Sequence, residues 1–294
     1  MDQNKKMGII YGLASYIIWG VLPIYWRQLQ HVHAFEILAS RFLWSAVFVF
    51  ALLLITGKLK VCWEETKEIF STVQSGVRMV LAAIVISFNW GIFIWAVEAG
   101  RIVETSVGYY INPLVSVLFG VIFLGERLNR LQVIAVIWAA LGIAYIVVQN
   151  GSLPWIAVSL AATFASYSLL KKVIKAQALT TIMIETLLIS PLMLGYLYYL
   201  SLHGGNVYQS CDTRTFLYLA GAGVATATPL LLFTACARLL PLYMVGFMQY
   251  LSPSITLLIG VFIYGEAFTM THAVSFGCIW IGLGFFTWSQ LRKQ

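Results

Sequence analysis

The sequence predicts an all-α polytopic membrane protein of ten transmembrane helices arranged as two inverted five-helix repeats. Three observations lead there. Of 294 residues, 61% are hydrophobic and only 10% charged, against roughly 25% charged in soluble domains. The apolar residues form continuous stretches of about 18 residues or more, the length that crosses a hydrocarbon core. The second half of the chain also repeats part of the first. The composition excludes a soluble enzyme, a disulfide-stapled fold and a disordered tail. A porin-like barrel is excluded because its strands would alternate polar and apolar residues.

The elements follow in order. Met7 to Trp26 is the first span; it is too long for a cleavable signal peptide and no small-x-small site follows it. Ala34 to Thr56 is the second, with Glu36 near one end and Arg41 one to two turns deeper. Val77 to Val97, carrying Asn89 beside Trp90 at mid-span, Thr105 to Leu124 and Leu131 to Val148 complete the first domain, residues 1–150. Pro154 to Leu170, Leu179 to Leu200, Phe216 to Ala237, Leu242 to Tyr264 and Ala273 to Trp288 form the second, residues 151–294. The one long connection, Gly57 to Gly76, sets Trp63, Thr66, Phe70 and Val73 at helical spacing against Glu64, Glu65, Lys67 and Glu68. That pattern predicts a helix lying on the membrane surface.

The net charge of +7 is an orientation signal and points to no nucleic-acid partner. With the amino terminus cytoplasmic, that side receives Lys5, Lys6, Lys58, Lys60, Lys67, Arg78, Arg127, Arg130, Lys171, Lys172, Lys175, Arg238, Arg292 and Lys293, and the other only Arg27, Arg101 and Arg214. Such a bias places both termini in the cytoplasm. Cys62, Cys211, Cys236 and Cys278 have no CxxC spacing, and His31 and His33 stand in a short loop with no further metal-ligand residues at motif spacing. Neither metal nor cofactor is expected.

A shift of 140 residues places Tyr110 on Tyr250, Pro113 on Pro253, Gly120 on Gly260, Gly125 on Gly265, Glu126 on Glu266 and Gly142 on Gly282. A looser match sets Glu36 against Glu185. An odd number of spans per repeat makes the second copy enter from the opposite face, the inverted topology common among transporters.

The repeat also carries a polar stripe. Tyr109, Asn112, Pro113, Ser116 and Gly120 share one helical face, and the matching positions are Gln249, Ser252, Pro253, Thr256 and Gly260. Polar groups in hydrocarbon must face protein or water, so both stripes are expected to line a shared space, while small residues also allow close helix packing. Pro113 and Pro253 each free a mid-span carbonyl. With Trp19, Asn89, Trp90, Tyr110 and Tyr250, these polar residues are the candidate substrate pathway. Glu36, Arg41 and Glu185 are candidates for ion coupling, because charges inside the bilayer need partners or water. Arg41 has a second reading, a side chain that snorkels to the surface. Glu126 and Glu266, each after a Gly, read as turn and termination features.

The runs FNWGIFIWAVEAGRIVETSVGYYINPLVSVLFGVIFLGERL (Phe88 to Leu128), IETLLISPL (Ile184 to Leu192) and VGFMQYLSPSITLLIGVFIYGE (Val245 to Glu266) resemble the RarD group in the EamA branch of the drug/metabolite transporter superfamily. The likeness runs from Gly12 to Leu283 and implies a bacterial inner-membrane permease, with the third, fourth, eighth and ninth helices around a central cavity. Ser40 stands where relatives have a His before Arg41, which removes a histidine from any coupling role there. The family label concerns chloramphenicol sensitivity, a phenotype and not a substrate. The reading is a secondary transporter, permease or exporter, of small organic solutes by alternating access, with proton coupling as an option. It acts as a monomer, the two fused halves already supplying a pseudo-dimer. No GxxxxGK[ST] loop provides for nucleotide. The alternative, a membrane-embedded enzyme acting on a lipid, needs a nucleophile and base at one depth; the spans offer only Ser and Thr, with His272 at a loop edge.

Overall fold

The computed structural model describes residues 3–99, 101–149, 155–265 and 268–292, with the side chains at 97, 98 and 102–104 outside the description. Every regular element among the described residues is helical. In order these are α1 (Gln3–Trp26), a short 3-10 turn (Arg27–Leu29), α2 (Ala34–Ile55), α3 (Leu59–Ser71), α4 (Val73–Glu98), α5 (Ile102–Leu124), α6 (Arg130–Gln149), α7 (Trp155–Val173), α8 (Ala178–Leu202), α9 (Val207–Ser210), α10 (Thr213–Leu239), α11 (Leu242–Gln249), α12 (Leu251–Tyr264) and α13 (Met270–Leu291). Ten stretches are long and apolar enough to cross a membrane, the ninth being α11 and α12 together. Pro154 and Glu266 lie outside the described residues.

The helices stop where the chemistry says they should. Gly125 takes φ 64° after α5 and Gly265 takes φ 68° after α12, the left-handed conformation that glycine adopts without strain. The Glu126 amide then donates back to the Gly120 carbonyl at 3.1 Å. α10 begins at Asp212, whose carboxylate accepts the Thr215 amide at 2.9 Å. The surface helix foreseen between Gly57 and Gly76 is α3: only Ile69 is buried, and Lys60 and Glu64 pair across one exposed turn.

Packing alternates between the halves. α1 lies on α10 and α12, and α7 lies on α4 and α5, so the first helix of each half packs on the third and fourth of the other. α2 packs on α8 and α10. α6 and α13 meet through reciprocal glycines: a Cβ on Gly142 would reach the Ser275 carbonyl at 2.7 Å, and one on Gly282 the Ala135 carbonyl at 2.8 Å. Ser275 and Ala135 are themselves 140 residues apart, so residue and counterpart exchange contacts as a two-fold relation demands. Large apolar side chains such as Ile17, Val47, Leu81, Ile122 and Phe262 point outward, suited to lipid.

Lys5 Nζ donates to Gln290 Oε1 at 3.3 Å, which ties the chain ends together on what is called here the terminal face. Lys171, counted by sequence among the loop cations of that face, corrects the count: α7 continues to Val173, and the Lys171 side chain turns inward to a carboxylate.

Candidate solute pathway

The two proline-bearing helices behave differently. α5 continues through Pro113 unbroken, whereas the ninth span is interrupted at Tyr250, between α11 and α12. Pro253 has no N–H for the Gln249 carbonyl and its ring crowds that carbonyl, which accounts for a break at this point. Across the break the chain changes partners. α11 packs on α5 near the terminal face, with the Gly246 backbone against the Pro113 carbonyl and Val117; α12 packs on α1, where the Thr256 hydroxyl donates to the Gly20 carbonyl at 3.2 Å. α5 and α12 therefore diverge toward the opposite face, while α5 and α11 are joined.

That junction is fastened by Glu126. Its carboxylate accepts the backbone N–H of Leu242 at 2.6 Å and of Tyr243 at 2.8 Å, so it caps the amino end of α11. Two charge-assisted bonds at a helix N-terminus combine pairing with a favourable dipole. Lys172 Nζ closes the same face by donating to the Leu240 carbonyl. The turn role read for Glu126 from sequence omits this.

At the level where α5 and α12 part, five helices converge on Arg41. Its Nε donates to Thr226 Oγ1 of α10 at 3.0 Å. The guanidinium lies 4.1 Å from the ring centroid of Trp90 on α4 and 5.0 Å from that of Trp26 at the end of α1. Tyr109 of α5, half-exposed, is within electrostatic range of it and packs its ring 5.7 Å from Phe93. Arg41 thus points inward and does not snorkel, because the indole faces offer the cation a better environment than hydrocarbon.

Below this level an aromatic plug fills the half nearer the terminal face. Trp19 packs on Tyr16, Phe164 and Phe233 with centroids 5.5–6.0 Å apart, and Tyr167 stacks on Phe233 at 6.0 Å. Beside it lies a buried ionic cluster. Lys171 Nζ donates to Glu185 Oε1 at 2.8 Å and to Thr181 Oγ1 at 2.7 Å, and the Tyr167 hydroxyl donates to Glu185 Oε2 at 3.0 Å. A small void of about 10 Å³, near the size of one water, is lined by Glu185, Ser45, Thr186, Thr226, Trp90 and Phe42 among others. Its surface is mostly apolar, and it runs from the ionic cluster to the residue that holds Arg41.

The other candidates scatter. The Asn89 amide donates to the Leu160 carbonyl at 2.9 Å and Thr163 Oγ1 at 2.7 Å, tying α4 to α7. Asn112, Pro113 and Ser116 are buried, with Ser116 bonded to Asn112 at 3.5 Å. Tyr110 packs against Phe276 of α13, and Tyr250 against Ala139 and Ile279, so both sit in the α6–α13 contact. Gln249 is buried at the break with no hydrogen-bond partner for Oε1; Ser252 and Pro253 are half-buried. Glu36 accepts the Val207 amide at 2.6 Å and lines a hollow of about 950 Å³ on the face opposite the termini, with Arg27, His31 and Arg214 on the same wall. Ser40 bonds the Tyr208 hydroxyl at 2.6 Å. Sequence reasoning missed Trp26, Tyr167 and Lys171, each toward the end of a span, and Thr226 in the middle of α10, none of which carries a periodic signal.

The comparisons agree with this architecture. The EamA-like transporter family matches residues 6–148. The chain is similar to an uncharacterized transporter, YojE, of Bacillus subtilis, at 45% identity over 98% of this chain and 96% of that one. It is 38% identical to protein RarD of Escherichia coli over 100% of this chain and 98% of that one, and 31% identical to the chloramphenicol-sensitive protein RarD of Pseudomonas aeruginosa over 98% and 96%. A crystal structure only 17% identical shares the fold, with a TM-score of 0.73 over 96% of this chain and 97% of that one. Identity of this extent over nearly the whole length means that the chain belongs to the RarD-type branch of the EamA-like transporter family.

Proposed function

We propose that this protein is a secondary transporter that carries small organic solutes by alternating access. The observation that carries the reading is the unequal treatment of two quasi-equivalent ends: α5 and α11 are latched at the terminal face by Glu126, while α5 and α12 part toward the other. Rocking one half against the other would exchange these arrangements around the level of Arg41. The charge bias of the loops supports a cytoplasmic terminal face, so the arrangement described is the outward-facing one. The site then comprises Trp19, Trp26, Arg41, Trp90, Tyr109 and Thr226, with Gln249 and Ser252 at the break. Of the two carboxylates considered for proton coupling, Glu185 has the stronger support, since it is buried beside a void that reaches Thr226; Glu36 serves a backbone amide.

The test is a reversible lock. In a cysteine-free background, Gly120→Cys with Leu242→Cys places two β-carbons about 3.2 Å apart across the α5–α11 junction, and the Glu126 carboxylate, 2.5 Å from the new Cβ, turns aside, so the disulfide replaces the latch it displaces. In proteoliposomes the oxidised pair should stop solute flux and a reductant restore it. Undiminished flux through the crosslinked protein would refute alternating access.

A further inference from the structure

We propose that Arg41 anchors the anionic head of the cargo, and that the cargo is a small, planar organic monoanion bearing a carboxylate; the inference rests on the transport reading above. Two cations, Arg41 and Lys171, turn inward among the spans, and they are treated differently. Lys171 has its carboxylate, Glu185, at 2.8 Å. Arg41 has none among the described residues. Among the described residues its one hydrogen bond leaves through Nε to Thr226, and none engages the two terminal amino groups. A cation set into a membrane protein without a counter-ion is costly and marks a ligand pathway.

The geometry narrows the ligand. The guanidinium carbon lies over the rings of Trp90 and Trp26, and the terminal amino groups beyond Nε have no hydrogen-bond acceptor among the described residues. Those groups present paired N–H donors in the fork that fits a carboxylate through two parallel bonds, a match a lysine cannot offer. Trp26, Trp90, Phe93 and Tyr109 supply flat apolar surface beside it for an aromatic or otherwise planar body.

A zwitterion fits less well. Its ammonium group would need an acidic partner near Arg41, and among the described side chains Glu36 of α2 is bonded to the Val207 amide and Glu185 of α8 to Lys171 and Tyr167.

Calorimetric titration of the purified full chain in detergent decides the matter. The probes are benzoate and 2-naphthoate, the matching neutral amides, phenylalanine and inorganic phosphate. The carboxylates should bind at least about ten-fold more tightly than amides, phenylalanine or phosphate. Arg41→Gln should weaken carboxylate binding by about 30-fold or more, the lower end for a desolvated charge pair, leave the amides unchanged and preserve the circular dichroism spectrum. Arg41→Lys should retain part of the affinity. Absence of carboxylate binding at millimolar concentration, equal affinity for amide and carboxylate, preference for phosphate, or a folded Arg41→Gln protein with unaltered affinity would each overturn the proposal. Where Arg41→Gln does not fold, the carboxylate-to-amide ratio of the native protein decides alone. Flux in proteoliposomes separates the two readings: Arg41-dependent binding without transport removes the transporter, and transport without carboxylate selectivity removes the anion site.

Discussion

Lys171 and Glu185 form an ion pair at 2.8 Å with side chains 0% and 4% exposed, on neighbouring helices α7 and α8. The pair is completed by Thr181 and Tyr167, so three of the donors around Glu185 and Lys171 are matched. Two charges removed from water gain little net free energy even when paired, but an orphaned partner is expensive.

Lys171→Met and Glu185→Gln are therefore each expected to lower stability by about 3–5 kcal/mol. The double variant Lys171→Met/Glu185→Leu should regain most of the loss. Thermal unfolding of the four proteins in one detergent measures this, and additive losses in the double variant would mean that the pair is not the unit. If the native protein couples solute to protons through Glu185, the double variant should also move solute without responding to an imposed pH gradient.

Removal of the Glu126 latch should favour opening at the terminal face. Glu126→Ala deletes two charge-assisted bonds, each worth about 1.5–3 kcal/mol. A cysteine at Val117, which is buried against Gly246 of α11, should then label with a membrane-impermeant maleimide added from the terminal side, more than it does with Glu126 present. Equal protection in both backgrounds would show that the carboxylate does not hold this junction.

Gly223 sets the distance between α2 and α10. A Cβ there would lie 2.2 Å from the Trp44 carbonyl carbon and 2.6 Å from the Ser45 amide nitrogen, atoms of backbone that cannot turn aside. Gly223→Ala should cost at least the roughly 1–3 kcal/mol of an overpacked core and depress the yield of folded protein. Gly277→Ala, with nothing within 4 Å, should be neutral or stabilising by up to about 1 kcal/mol through helix propensity. Size-exclusion profiles and melting temperatures of the two variants provide the comparison.

Asp212 gives a pH dependence outside the membrane-spanning segments. Hydrogen bonds from the Thr215 side chain and amide hold its carboxyl below the usual range. A group depressed in the folded state contributes stability above its unfolded value and loses it as pH falls through the folded one. The cap on α10 should therefore weaken only in acid, below about pH 4. Asp212→Asn, a cap that does not titrate, should remove this share of the acid sensitivity, seen as a flatter melting temperature against pH.

The spans and the surface helix were legible in the sequence because each is a property of a contiguous run. Uninterrupted apolar length gives the helices, and Gly125 and Gly265 mark their ends. The site was legible only in fragments. Trp90 and Tyr109, read as pathway candidates, lie beside Arg41, read as a coupling candidate, whereas Asn112 and Ser116, on the same stripe as Tyr109, are buried. Helical periodicity states which side chains share a face; it is silent on what that face meets. Lys171 looked like a loop cation because position along the chain cannot reveal a partner fourteen residues onward on the next helix.

The order of elements, the ten crossings and the duplicated glycines and prolines follow from the sequence alone, since backbone hydrogen bonding and transfer into lipid are decided locally along the chain. Which of two equivalent prolines breaks its helix, which carboxylate caps a helix and which holds a lysine, and that one arginine ends among indoles were decided only by packing. Those outcomes depend on groups brought together from remote parts of the chain, where geometry selects one partner from several of the same chemical type.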